Sequence, residues 1–360
     1  MAFYLLHNYM DFIRFYNAKD IRVEDIEEPK LVGDDDVKVR VAWAGICGSD
    51  LHEYLAGPII APGDEPDPLT GQKRPITMGH EFSGVVEEVG SNVKTVKPGD
   101  KVAINPLITS GNHDNRLYDM YKGFQFVGLG SDGGFADYTV VDKINVVKVS
   151  DDVSLEIAAL VEPTAVAMQA IRESEMEFGE TVAVFGVGPI GLVNIIAARA
   201  AGAKEIFAFD LSEERLAKAK EVGATHVVNS GEVDPNEYIK ERYPDGVDRT
   251  FEVAGVPVTL EQAIQVTRPR GTVTVVSIFE EPIDFNPMLL TASGVRISST
   301  LAYEDDIFDL TLKMIENNQI DVSPLITDHI ELENIVENGF ESLSNDKSQA
   351  KILVKLSGDK

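Results

Sequence analysis

The chain has 360 residues, with 60 acidic and 32 basic side chains, a formal net charge of −28 and one cysteine. That balance argues against a nucleic-acid binder, which needs clustered Lys and Arg against phosphate, and against attachment to anionic membranes. One thiol rules out a disulfide framework and any lobe of four cysteines around zinc, and a chain that is 44% hydrophobic at this length suits roughly two globular domains.

Residues 1–16 are apolar in places but broken by His7, Asn8, Asp11 and Arg14, with no basic region or cleavage site of a signal peptide. No apolar run reaches the roughly 18 residues of a membrane span, so a cytoplasmic protein is expected. Val37–Val41 and Glu81–Val86 alternate with period two, and Lys97-Pro98-Gly99-Asp100 is a turn leading into a short strand, Lys101–Ile104. The first 150 residues therefore read as β-rich with tight turns. The texture changes at Ser154, a helix cap, followed by an Ala-rich helical stretch, 158–171. Strand and helix then alternate: strand 181–185, helix 190–201, strand 205–209, helix 213–222, then strands at 224–229, 249–253 and 271–278. Such alternation predicts βαβ units and a parallel sheet. A helix over 308–317 and a closing strand over 350–356 complete the chain. The acidic runs 34–36 and 304–306 read as solvated loops.

Strand 181–185 runs into Gly186-Val187-Gly188-Pro189-Ile190-Gly191, and a helix follows at once. This is G-x-G-x-x-G in the context that gives it meaning: a tight turn, a close backbone approach to pyrophosphate, and a helix N-terminus facing the phosphates. The next strand ends at Asp210, 19 residues after Gly191. An acid there binds ribose hydroxyls and repels a 2′-phosphate, which favours NAD over NADP. Arg215, at the start of the following helix, is placed to lie against the adenosine or to meet phosphate.

The cysteine, Cys47, sits between glycines in Gly45-Ile46-Cys47-Gly48-Ser49-Asp50-Leu51-His52, and His80-Glu81 follows Gly79 ahead of a strand. Glu162 interrupts an apolar helix start and needs a partner there. One thiolate, one imidazole and one or two carboxylates make a mixed donor set suited to zinc, with a coordination position left for substrate.

Five separated motifs carry a resemblance along essentially the whole chain: residues 45–52, 79–90, 97–102, 161–163 and 186–191. In these the chain resembles the zinc-dependent medium-chain alcohol and polyol dehydrogenases, and residues 49–59 and 68–71 are similar to the branch acting on (R,R)-2,3-butanediol. The resemblance implies a β-rich GroES-like catalytic domain formed by 1–157 and 300–360, with a Rossmann, doubly wound parallel-sheet domain of 158–299 between. It implies a catalytic zinc held by Cys47, His80 and a carboxylate, with Glu81 and Glu162 both open as that carboxylate. Ser49 matches the hydroxyl that touches the reacting alcohol, and His52 matches the histidine that relays its proton to solvent. NAD is the implied cofactor, a small alcohol or ketone the substrate, and a homo-oligomer, dimer or tetramer, the assembly. The activity implied is interconversion of butanediol and acetoin; a sorbitol-like polyol or L-threonine dehydrogenase is the alternative, followed by a zinc-free quinone or enone reductase and a non-catalytic NAD-binding protein. The chain departs from the family at 105–130, where four cysteines usually hold a structural zinc. Ser110, His113 and Tyr121 stand roughly at their places, so one zinc per chain is expected.

Overall fold

A computed structural model of the chain describes residues 9–110 and 116–357. The chain forms two compact units, one from residues 1–162 and 326–360, the other from residues 163–325. In chain order the first unit begins with β1 (Tyr9–Asn17), β2 (Asp20–Glu27), β3 (Asp36–Gly45), α1 (Gly48–Ala56), β4 (Ile76–Thr77), β5 (Glu81–Val89), β6 (Lys101–Ile104), β7 (Leu107–Thr109), α2 (Arg116–Met120), β8 (Phe124–Phe126), β9 (Tyr138–Asp142), β10 (Val146–Lys148) and α3 (Leu155–Ala158). Helix α4 (Val161–Glu173) leads into the second unit, with β11 (Thr181–Phe185), α5 (Pro189–Ala200), β12 (Glu205–Asp210), α6 (Glu213–Glu221), β13 (His226–Asn229), α7 (Pro235–Lys240), β14 (Val247–Glu252), α8 (Pro257–Val266), β15 (Thr267–Val275), α9 (Met288–Ser293), β16 (Arg296–Ser299) and α10 (Asp305–Glu316). The chain then returns to the first unit through β17 (Ile326–Glu331), α11 (Ser342–Asn345) and β18 (Lys351–Lys355).

In the first unit the main sheet has seven strands in the order β10-β6-β5-β3-β18-β17, with β9 on the other half of β3. Val37, Val39 and Val41 of β3, Phe82 of β5 and Ile352 of β18 share one buried cluster with Phe135 and Phe340. The period-two pattern of β3 puts its valines on one face, although the strand is buried on both faces over most of its length. Closing strand β18 pairs antiparallel with β3, Leu353 opposite Gly45, while Gly45 lies opposite Glu81 of β5. Residues remote in sequence are brought side by side here. The turn at 97–100 is held by Asp100, whose carboxylate accepts from Lys148 at 2.8 Å and from the Lys97 backbone and ammonium at 3.1 Å each. The Lys148 contact, then Lys97, pull its pKa down to about 2 against the opposing effect of burial. A depressed carboxylate stabilises the fold above its unfolded pKa, and the contribution is lost as pH falls through the folded value. Asp100→Asn is expected to cost about 1 kcal/mol near neutrality, and urea melts should show the gap to wild type closing between about pH 4 and pH 2.

The second unit is a six-stranded sheet, β13-β12-β11-β14-β15-β16, parallel at every pairing. This is the doubly wound order in which the chain reverses direction between the first and fourth strands and binds a dinucleotide across that point. Phe185, Phe207, Phe209, Ile264 and Val273 form its core.

The unit boundaries differ from those expected at 157/158 and 299/300. The chain stays in the second unit through residue 325, and within it Arg172 of α4 pairs with Asp306 at 2.8 Å and with Glu304. The acidic run 304–306 is therefore not a solvated loop: Glu304 precedes α10, and Asp305 and Asp306 form its first turn, where the helix dipole favours negative charge. The expected helix 158–171 is two helices, α3 and α4. Among the described residues, no helix is long and apolar enough to cross a membrane.

Candidate active site

Cys47 ends the connection from β3 to α1, and its backbone N–H donates to Asp50 Oδ2 at 2.9 Å. Asp50, in the first helical turn, thus serves the N-terminus of α1 in place of the usual Ser, Thr or Asn cap. His80 immediately precedes β5, and Glu81 is that strand's first residue. The donor atoms of Cys47, His80 and Glu81 lie within 4.8 Å of one another, with the His and Glu buried. Among the described residues this is the compact metal-capable group, and Glu162 stands outside it. Glu162 is nevertheless buried at the start of α4, and its charge acts on Lys351.

The imidazole of His80 is oriented from both sides. Nε2 lies 3.3 Å from Ser49 Oγ, and Nδ1 faces buried Asp50 Oδ1 at 3.4 Å. Neither His80 Nδ1 nor Asp50 Oδ1 has a hydrogen-bond partner, although both are buried. A ligating histidine commonly directs its second nitrogen at a carboxylate, and Asp50 stands where that carboxylate would be. Burial alone lowers the pKa of His80, but the charges of Asp50 and Cys47 outweigh it and hold the ring well above its ordinary value. An S/N/O donor set with a buried carboxylate behind the imidazole fits zinc.

Glu81 has a second partner that the sequence reading missed. Lys351 of β18 donates to both carboxylate oxygens, at 2.8 and 2.7 Å, and to Ile46 O at 3.3 Å. One strand, β3, lies between these residues. The space is open because the β3 residue is Gly45: a Cβ there would collide with Glu81 Oε2 and come within 3.4 Å of Lys351 Cδ. Burial lowers the pKa of Lys351, but the nearby charges of Glu81, Cys47 and Glu162 raise it above the ordinary value. Such a charge cannot sit in a core strand unpaired. That is the signal available in the sequence: Lys351 is on the same face as Leu353 in an apolar closing strand.

Ser49 and His52 lie three residues apart on α1, on one face of the helix. His113 and His7 lie outside the described residues. His226 stacks on Phe207 at 4.4 Å, and His329 pairs with Glu156. Both described ends of the stretch 105–130 make polar contacts: Asn145 Nδ2 donates to Asn105 O and, at 3.1 Å, Leu107 O, while Gln125 Nε2 donates to Ile60 O at 3.1 Å and Asp67 Oδ2 at 2.9 Å.

In the second unit, the glycine turn follows β11, with Gly186 at φ +87°. Pro189 opens α5. Asp210, 23 residues from Val187, accepts its N–H at 2.9 Å and those of Leu211 and Ser212 at 2.8 and 3.0 Å. The acid expected at the ribose hydroxyls is thereby tied to the glycine turn. Arg215 Nε is buried without a hydrogen-bond partner, and a Cβ on Gly188 would lie 3.9 Å from its guanidinium carbon. Exposed apolar side chains follow the carboxyl ends of the strands: Leu211 at 72%, Val256 at 42% and Ile278 at 57% exposure. Apolar groups left open beside a phosphate-binding turn suit the flat rings of a dinucleotide.

Comparison with known proteins agrees with both units. Residues 33–151 match the alcohol dehydrogenase GroES-like domain and residues 189–317 the zinc-binding dehydrogenase domain. An (R,R)-butanediol dehydrogenase of Bacillus subtilis is 46% identical over 343 residues, covering 95% of this chain and 98% of that protein. Another from Neisseria gonorrhoeae is 39% identical over 351 residues, with coverage of 95% and 98%. The crystal structure of the 2R,3R-butanediol dehydrogenase from Bacillus subtilis superposes with a TM-score of 0.92 at 45% identity, covering 97% of this chain and 100% of that one. The chain belongs to the zinc-binding alcohol dehydrogenase family and is an oxidoreductase.

Proposed function

We propose that the protein interconverts (R,R)-2,3-butanediol and acetoin with NAD and one catalytic zinc per chain. The observation that carries this reading is the near full-length similarity to two butanediol dehydrogenases, together with the compact group of partly buried Cys47 and buried His80 and Glu81. Cys47, His80 and Glu81 would hold the zinc, with Glu162 close enough to Lys351 to act on the same charge network. When bound, the zinc lowers the pKa of the substrate hydroxyl and the nicotinamide takes the hydride. The chain's own residues manage the proton. Ser49, whose Oγ lies beside His80, accepts it from the substrate oxygen, and His52 moves it on to solvent. Asp50 orients His80, and Lys351 fixes the direction of Glu81. One carbon of the diol becomes a ketone as its hydride and hydroxyl proton leave.

Asp210 supports NAD over NADP, because a carboxylate repels a 2′-phosphate. Asp210→Gly is expected to erode the ratio of kcat/KM for NAD over NADP about tenfold, the value of one lost charge contact of about 1.4 kcal/mol; an unchanged ratio contradicts the assignment. A homo-oligomer, dimer or tetramer, is proposed, with the outer strand β16 ending the sheet and available for pairing. A reducing cytoplasm suits a chain whose single thiol is kept as a ligand.

The test is the rate of NADH formation across the butanediol stereoisomers, sorbitol and L-threonine. The (R,R) isomer should exceed (S,S) at least about tenfold, the cost of misplacing one hydrogen-bonded hydroxyl. Faster turnover of sorbitol or threonine would move the protein to those branches. No NADH from any of them would contradict the activity.

A further inference from the structure

Glu252 is the last residue of β14 and is wholly buried. Its side chain gathers three segments. Oε1 accepts from the backbone N–H of Ala254 and Gly255, both at 2.9 Å, and from Thr259 Oγ1 at 2.7 Å. Oε2 accepts from Ser277 Oγ, beyond the end of β15. The backbone adds to the same knot, since Glu252 O accepts from Val276 N at 2.9 Å and Ser277 N at 3.3 Å. The segments so held are packed to backbone contact. A Cβ on Gly255 would come within 2.7 Å of Ile278 O, and one on Gly186 within 2.8 Å of Ala254 N. The turn after β14 and the turn after β15 are thus tied together through Glu252 at the carboxyl ends of the strands, and the glycine turn packs against the first of them at Ala254.

Topology says what that ridge faces. In the order β13-β12-β11-β14-β15-β16, one mononucleotide half comprises β11 to β13 and the other β14 to β16, and a dinucleotide lies across the reversal. Asp210 ends β12, in the first half. The turns held by Glu252 belong to the second, and they present Val256 and Ile278 open to solvent. A buried carboxylate that hydrogen-bonds two turns at once fixes their spacing as well as their shape, which is what a flat ring bound against them requires.

We propose that Glu252 is a positioning residue for the nicotinamide half of the cofactor, acting through the turns 254–256 and 277–278 without touching the ring. This rests on the dinucleotide reading of the second unit. The test is direct titration of the full-length protein with NADH and, separately, with ADP-ribose, which lacks the nicotinamide. In Glu252→Ala both acceptors are removed, so the turn at 254–255 and the turn at 277 both lose their side-chain tie. The Kd for NADH should rise at least about tenfold while that for ADP-ribose stays within about twofold. Ser277→Ala removes a single arm and should give the same selective loss, about threefold, in a chain whose buried charge is intact. An unchanged NADH affinity in either variant overturns the proposal. So does an equal loss of both ligands, which is the signature of general loosening. A wild-type chain that binds neither ligand overturns the cofactor reading itself, a result distinct from wild-type binding with indifferent variants.

Discussion

Cys47→Ala is expected to lose the zinc and at least about a thousandfold in kcat/KM, close to 4 kcal/mol of transition-state stabilisation. The chain has no second cysteine to substitute, and a site left with one imidazole and a carboxylate is a poor zinc ligand set. The fold should survive. Cys47 is only partly buried, and Asp50 still accepts the residue-47 N–H through the backbone. Metal analysis of the purified variant, beside a thermal melt, separates loss of a ligand from loss of structure. A variant that keeps both zinc and wild-type turnover contradicts the assignment.

Lys351→Met is expected to destabilise the metal-free protein by about 3–5 kcal/mol, because it abandons a buried carboxylate. Glu81 and Lys351 are both almost inaccessible, and Lys351 contacts both Glu81 oxygens. If Glu81 is the zinc-ligating carboxylate, bound zinc supplies the missing positive charge, so the penalty should shrink in the zinc-loaded form. If Glu162 is the ligand, the penalty should shrink less, because the zinc charge then lies near Glu81 without bonding to it. Paired denaturation curves of chelated and zinc-loaded protein therefore choose between the two carboxylates that the sequence left open. Adding Glu81→Gln to Lys351→Met should recover much of the lost stability in the chelated form, since removing both charges is far cheaper than removing one.

What the sequence disclosed follows from how local each signal is. Strand 181–185 with its glycine turn, and strand 101–104 after Lys97-Pro98-Gly99-Asp100, lie where the pattern placed them, because each is defined by adjacent residues. The six-strand parallel sheet was legible from alternation alone, except at its edge. Strand β16, Arg-Ile-Ser-Ser, is mostly exposed and polar, so it offers no hydrophobic period to read. Helix α1 was hidden for another reason: its N-cap position is Cys47 rather than a usual capping residue. The acidic run at 304–306 misled because its partner, Arg172, is more than 130 residues away.

The same division holds within the site. Cys47, Ser49 and His52 share one short segment, and His80 and Glu81 are consecutive, so residue type and spacing marked them out. The structure brings the thiol, the imidazole and Glu81 together, while Glu162 contributes charge from outside that group. Asp50, Lys351 and Glu252 were missed because their importance lies in what they touch across strands and turns. Each is a charged side chain that is almost fully buried. Asking what could neutralise or hydrogen-bond such a charge is the inference that finds them.

The most direct test of a single-zinc dehydrogenase is the mass of the intact wild-type chain under native conditions, read per subunit. The account predicts an increment of one zinc, removed by chelation together with NAD-linked oxidation of (R,R)-2,3-butanediol and restored with it on adding zinc back. A chain that carries two zinc ions, or that keeps full turnover with none, would contradict it.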